Sequence, residues 1–140
     1  MLEEVSCINY KIAIADEIGN SFKVDRICLE KDQQDKKIIY YVRLFVVVCQ
    51  QNEVMNKELF FELEKLQGWL YSMYSIGPNR KKCVKLEMDE NIVIKLAIID
   101  EQKAKLIILN KSENLNFELI SSLEDFRTFQ QSWKRAISIL

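Results

Sequence analysis

The chain of 140 residues contains no histidine, one proline and three glycines. Without histidine there is no Ser-His-Asp or Cys-His arrangement, no imidazole metal ligand, and no side chain whose ordinary pKa makes it a general base near neutrality. Gly19, Gly68 and Gly77 stand alone, so neither a phosphate-cradling P-loop nor a GxGxxG dinucleotide turn can be built. Cys7, Cys28, Cys49 and Cys83 form no CxxC pair, which removes the usual zinc knuckle. Each lies in an apolar, strand-like context, where a reduced thiol serves as a small core residue, and reduced core cysteines are expected rather than disulfides. No catalytic residue, metal or cofactor is assigned, and what survives of enzymology is carboxylate or lysine chemistry.

An excess of one charge is also lacking. Twenty basic and 21 acidic side chains give a net charge of −1 and are spread along the whole chain, so no long-range field favours DNA, RNA or an anionic membrane. Nucleic acid and membrane are therefore not expected as partners. Arg80, Lys81 and Lys82, and the pair Lys134 and Arg135, read as solvated surface. The longest apolar run, residues 38–49, is too short to span a bilayer as a helix and carries Arg43 in its middle. The N-terminus has neither the basic start nor the apolar run of a secretory signal, so a cytoplasmic protein is expected.

With 49% hydrophobic and 29% charged residues, the composition is that of one compact domain covering 1–140. "VSCINYKIAIA" alternates as a half-buried strand, "DEIGNS" is a turn, and "FKVDRICLE" is a second strand whose alternation slips near Asp25, as at a bulge. "KDQQDKK" forms the next loop. "KIIYYVRLFVVVCQ" is apolar on both faces, the pattern of a central strand covered on both sides, with Arg43 as the exception.

Leu59, Leu63, Leu66, Leu70 and Met73 then recur at steps of four and three. They predict a helix capped by Asn56, favoured by Glu58 at its N-terminal end, and stopped after Tyr74 by Gly77 and Pro78. From Cys83 the rhythm changes to the short strands "CVKLEMD", "IVIKLAIID", "KLIILN" and "LNFELI", an antiparallel meander. Ser122 and Asp125 have capping-box spacing, Ile120 is placed as an apolar staple, and Phe126, Phe129, Trp133, Ile137 and Leu140 mark a closing helix. The expected fold is α+β: a mostly antiparallel sheet of about seven strands with two amphipathic helices, in the order β-β-β-α-β-β-β-β-α.

Three acidic pairs sit at strand ends or turns: Asp16 with Glu17, Asp89 with Glu90, and Asp100 with Glu101. Paired carboxylates bind hard cations or act as acid and base, but no ligand spacing accompanies these, and Asp favours turns for its own hydrogen-bonding reasons. They are candidate contacts for a partner, together with Trp69 at the margin of the first helix, beside Tyr71 and Tyr74.

The segments "KELFFELEKLQGWLYSMYS", "KCVKLEMDENIVIKLAIID", "AKLIILN", "NLNFELI" and "SLEDFRTFQQSWKRAI" follow one another as helix, meander and closing helix. In this layout the chain resembles the WapI-like immunity proteins of bacterial polymorphic toxin systems, over about its C-terminal two thirds. The resemblance implies a cytoplasmic, non-enzymatic protein that binds one cognate toxin domain. A small ligand-binding protein or carboxylate-dependent enzyme is the alternative, and a structural or regulatory subunit of a phage or bacterial assembly is a third.

Overall fold

The computed structural model describes residues 1–73, 83–88 and 91–139. Five strands precede the first helix: β1 (Leu2–Ile8), β2 (Ile12–Ala15), β3 (Ser21–Gln34), β4 (Lys37–Gln50) and β5 (Glu53–Glu62), followed by α1 (Leu63–Ser72). Four more, β6 (Cys83–Met88), β7 (Ile92–Ile98), β8 (Lys103–Asn110) and β9 (Leu115–Ser122), lead into α2 (Leu123–Ile139). The fold is α+β, with nine strands among the described residues, in two antiparallel sheets. The first sheet has the order β1-β3-β4-β5, and β2 pairs with β3 beyond the end of β1; the second is the meander β6-β7-β8-β9.

Three expectations are corrected. The opening apolar segment is two strands, because β1 takes the C-terminal half of β3 and β2 the N-terminal half. "KDQQDKK" is no loop: β3 and β4 run through it to a tight turn at Asp35 and Lys36, with Asp35 in the left-handed region. The segment from Glu53 to Glu62 is a strand, so Asn56 caps no helix, and α1 begins at Leu63 with no side-chain cap. Leu59 and Phe61, both fully buried, alternate with half-buried Phe60, a period of two imposed by pairing with β4. Only from Leu63 onward is the leucine stripe helical. Its expected stop at Gly77 and Pro78 lies outside the described residues, as does Tyr74.

Other expectations hold. β3 shifts register between Val24 and Arg26, leaving Asp25 as the extra residue of a bulge. Ser122 Oγ accepts the Asp125 N–H at 3.1 Å, and Ser121 Oγ donates to Asp125 Oδ2 at 2.9 Å, tying the strand end to the first turn of α2. Ile120, in contrast, is 44% exposed and staples nothing.

The two halves repeat one plan. β5 runs into α1 and β9 into α2 with no residue between them, and buried positions recur at one constant offset: Leu59 and Leu119, Phe61 and Ser121, Leu66 and Phe126, Trp69 and Phe129, Leu70 and Gln130, Met73 and Trp133. Each helix crosses to the other half, α1 packing on β6 and α2 on β2. The inner faces of both sheets and both helices thus share one cluster of buried side chains. At its centre Phe22 meets Phe117 (6.5 Å between ring centres) and Phe129 (6.1 Å), which stands edge-on to Trp133. Gln130, 3% exposed, donates its amide to the Leu70 carbonyl at 2.9 Å, joining α2 to the last turn of α1.

The cysteine expectation is corrected as well. β1 and β3 bring Cys7 opposite Cys28, and the two form a disulfide; Cys49 and Cys83 are free and half-buried. Separation along the chain concealed a pair that the strand register makes adjacent.

Candidate interaction surface

The expected contact residues divide sharply. Asp16 Oδ1 accepts the N–H groups of Ile18 (3.0 Å) and Asn20 (2.8 Å), and Oδ2 accepts the Asn20 side-chain amide (2.7 Å). Partial burial pushes this carboxyl up, but the hydrogen bonds from Asn20, Ile18 and Gly19 outweigh it and hold its pKa below the ordinary value of 3.8. Asp100 Oδ1 likewise accepts the N–H groups of Gln102 (2.8 Å) and Lys103 (2.9 Å). Both aspartates are staples of their own turns, while Glu17 and Glu101 are exposed. Asp89 and Glu90 lie outside the described residues. Trp69 is corrected: at 4% exposure it belongs to the core, on the inward face of α1, whereas Tyr71 on the other side is 79% exposed.

A cavity of about 600 Å³ lies between the β2–β3 turn and the start of α2, lined by Asp16, Glu17, Lys103, Glu118 and Asp125 among others. A general acid would need a carboxyl held protonated by a raised pKa. Asp16 is shifted the other way, and Asp125 is engaged by Ser121.

The outer face of the first sheet is built differently. Directly paired residues share a face, so the register gives its rows: Glu30, Tyr41 and Glu62; Cys28, Arg43 and Phe60; Arg26, Phe45 and Glu58; Lys23, Val47 and Asn56. Val42, Leu44, Val46 and Val48 alternate with these residues of β4 and fill the core, whereas Tyr41, Phe45 and Val47 are only half-buried. The apolar second face of β4 is therefore open, which corrects the expectation of a strand covered on both sides.

Arg43 organises this surface. Its guanidinium donates to Glu30 through Nε (2.9 Å) and Nη2 (3.4 Å) and to Glu58 through Nη1 (3.2 Å), and lies 4.7 Å above the Phe60 ring. Partial burial lowers its pKa, but the contacts to Glu30 and Glu58 raise it above the ordinary value, so the charge is permanent. Phe60 stacks on Tyr41 with ring centres 4.9 Å apart, and Arg26 lies 5.7 Å over Phe45. Planar groups are thus held in fixed positions on a rigid sheet, so little side-chain entropy remains to be lost on contact. The second sheet repeats the arrangement in weaker form: Lys105 pairs with Glu118 at 3.8 Å, and Ile107 and Ile120 stand where Phe45 and Phe60 do.

Sequence reasoning missed this surface. Its signal was present in β4, where Tyr41, Phe45 and Val47 interrupted by Arg43 make a second apolar face, but a face covered by the chain itself gives the same pattern as one left for a partner. Phe60 was hidden further, because its segment was assigned to a helix. The basic cluster Arg80, Lys81 and Lys82 lies outside the described residues. Among the described residues no helix is long and apolar enough to cross a membrane.

No family model and no curated protein matches the chain. Two solved structures are similar to it over 93% of its length: WHY1 from Arabidopsis thaliana, at 13% identity, with 82% of that chain covered and a TM-score of 0.47, and the plant transcriptional regulator PBF-2, at 12% identity, with 80% covered and a TM-score of 0.48. Beside these two likenesses the exclusion of nucleic acid as a partner is withdrawn. A balanced net charge limits the long-range field of a protein and not what one of its faces can take.

Proposed function

We propose that the protein is a non-enzymatic binding module that docks a protein partner on the outer face of its first sheet. The observation that carries this reading is the open row in which Arg43 is fixed over Phe60 by two carboxylates. Arginine and large aromatic rings are the residue types that dominate binding energy at protein interfaces. The face mixes rings with charges of both signs, as a protein surface would meet them: Arg43 is paired with Glu30 and Glu58, Lys23 with Asp25 at 3.3 Å, and exposed Arg26 lies over the Phe45 ring. The resemblance in layout to WapI-like immunity proteins supports a cognate toxin domain as the partner and the cytoplasm as the place of binding.

The test is affinity capture from nuclease-treated native lysate with the full chain, alongside the Tyr41→Ala and Phe60→Ala variants. The reading expects one protein at equal stoichiometry with wild type, lost with both variants while each remains folded. Capture that survives both substitutions overturns the assigned face. Material recovered only when nuclease is omitted replaces the protein partner with nucleic acid.

A further inference from the structure

Glu4 stands three residues before Cys7, a spacing that puts two side chains of an unbroken strand on opposite faces. The register of β1 shifts between Glu4 and Ser6, and the extra residue returns Glu4 to the face of Cys7. Its carboxylate lies 3.0 Å from Cys7 Sγ, and a carboxylate oxygen and both sulfurs of the disulfide fall within 4.8 Å of one another. The two sulfurs differ in access, since Cys28 is 3% exposed while Cys7 is half-buried at the edge of the sheet. They differ in surroundings too: Cys7 has the Glu4 carboxylate, and Cys28 is the direct cross-strand partner of Arg43.

We propose that Cys7 and Cys28 form a redox-active site, opened at Cys7 by an external dithiol and governed by Glu4. A thiolate of the dithiol attacks Cys7 Sγ; the bond to Cys28 breaks, and its electron pair leaves on Cys28, the more buried of the two sulfurs. The second thiolate of the reductant then attacks its own sulfur in the mixed disulfide, closing an oxidised ring and releasing Cys7. The two protons given up by the dithiol pass to the two cysteines, so one disulfide is reduced and one dithiol oxidised. In the reduced chain the Cys7 S–H donates to Glu4. The negative charge of Glu4 repels the incoming thiolate and disfavours a Cys7 thiolate, which slows both opening and reclosure.

Opening loosens β1. Beyond its ladder with β3, this strand is tied by the N-terminal amine to Asp32 (2.9 Å) and by Glu3 to Lys31 (3.8 Å), and Leu2 to Val5 are exposed, so the disulfide is its one covalent tie among the described residues. The site is independent of the docking reading.

Peptide-resolved thiol trapping of the full chain, purified without reductant and treated with dithiothreitol, tests this directly. Cys49 and Cys83 should alkylate at the outset, and Cys7 and Cys28 only after reduction and together. Glu4→Gln should raise both the reduction and the reoxidation rate about three- to tenfold, whereas Glu3→Gln should change neither. In wild type, added salt should speed reduction by screening the same repulsion, and reduction should speed amide exchange in residues 2–8. Alkylation of Cys7 and Cys28 at the outset overturns the site. Rates indifferent to Glu4→Gln and to salt overturn the role of Glu4, and unchanged exchange in residues 2–8 overturns the loosening.

Discussion

The Arg43 guanidinium lies 4.7 Å over the ring of Phe60, held there by carboxylates from the strands on both sides of its own. A half-buried cation would be costly without those partners, and a long side chain would sample many positions without the ring beneath it. Together they fix one planar group on an open sheet. That arrangement carries the binding reading, and it also sets apart what folding needs from what a partner would need.

Phe60→Ala should test that separation. The ring packs on Tyr41 and Arg43 rather than in the core, so its removal should cost about 1 kcal/mol of stability. Affinity for the captured partner should fall at least about tenfold. Arg43→Lys keeps the charge but loses the forked donors and the flat contact, and should weaken binding in the same direction. Denaturant unfolding and titration calorimetry measure the two effects separately.

Phe22→Ala should behave in the opposite way. Phe22 is 1% exposed and touches both Phe117 and Phe129, so truncation leaves a cavity where the two halves meet. A loss of about 3–5 kcal/mol is expected in urea or guanidinium unfolding, with no direct change to the outer face.

Gln130 provides a sharper test of how the helices are joined. The last carbonyls of a helix lack a full set of partners within it, and Leu70 in α1 accepts a hydrogen bond from Gln130 in α2. Gln130→Met keeps most of the volume and removes this buried donor to the Leu70 carbonyl. The expected cost is about 1–3 kcal/mol, read as a shift in the unfolding midpoint without a change in slope.

Asp16 should make stability depend on pH in a definite direction. Its folded pKa lies below the ordinary value of 3.8, so folding favours the ionised form. That contribution is complete above the unfolded value and is lost as pH falls through the folded one. Asp16→Ala should therefore destabilise the protein at neutral pH and flatten the acid limb of a plot of unfolding midpoint against pH.

The sequence made local chemistry legible and left pairing obscure. The slip at Asp25 announced a bulge, and Ser122 with Asp125 announced the start of α2, because each depends on neighbouring residues alone. Asn56 and Leu59 misled: a helical stripe runs from Leu63 through Leu66 and Leu70 to Met73, and Leu59 happens to extend it backwards, while the actual strand is enforced by β4 from outside the segment. The disulfide was invisible for the same reason, since Cys7 and Cys28 become neighbours only through register. Trp69 shows a related limit, as periodicity placed it beside the stripe and packing drew it inside.

Hydrogen exchange of the chain free and saturated with its captured partner would test the docking surface most directly. The account predicts new protection in residues 41–47 and 54–62, with the turn at residues 16–20 and the exposed side of α1 around Tyr71 unchanged. Protection confined to that turn, the residue 100–103 turn or α1, with β4 and β5 exchanging as in the free chain, would contradict it.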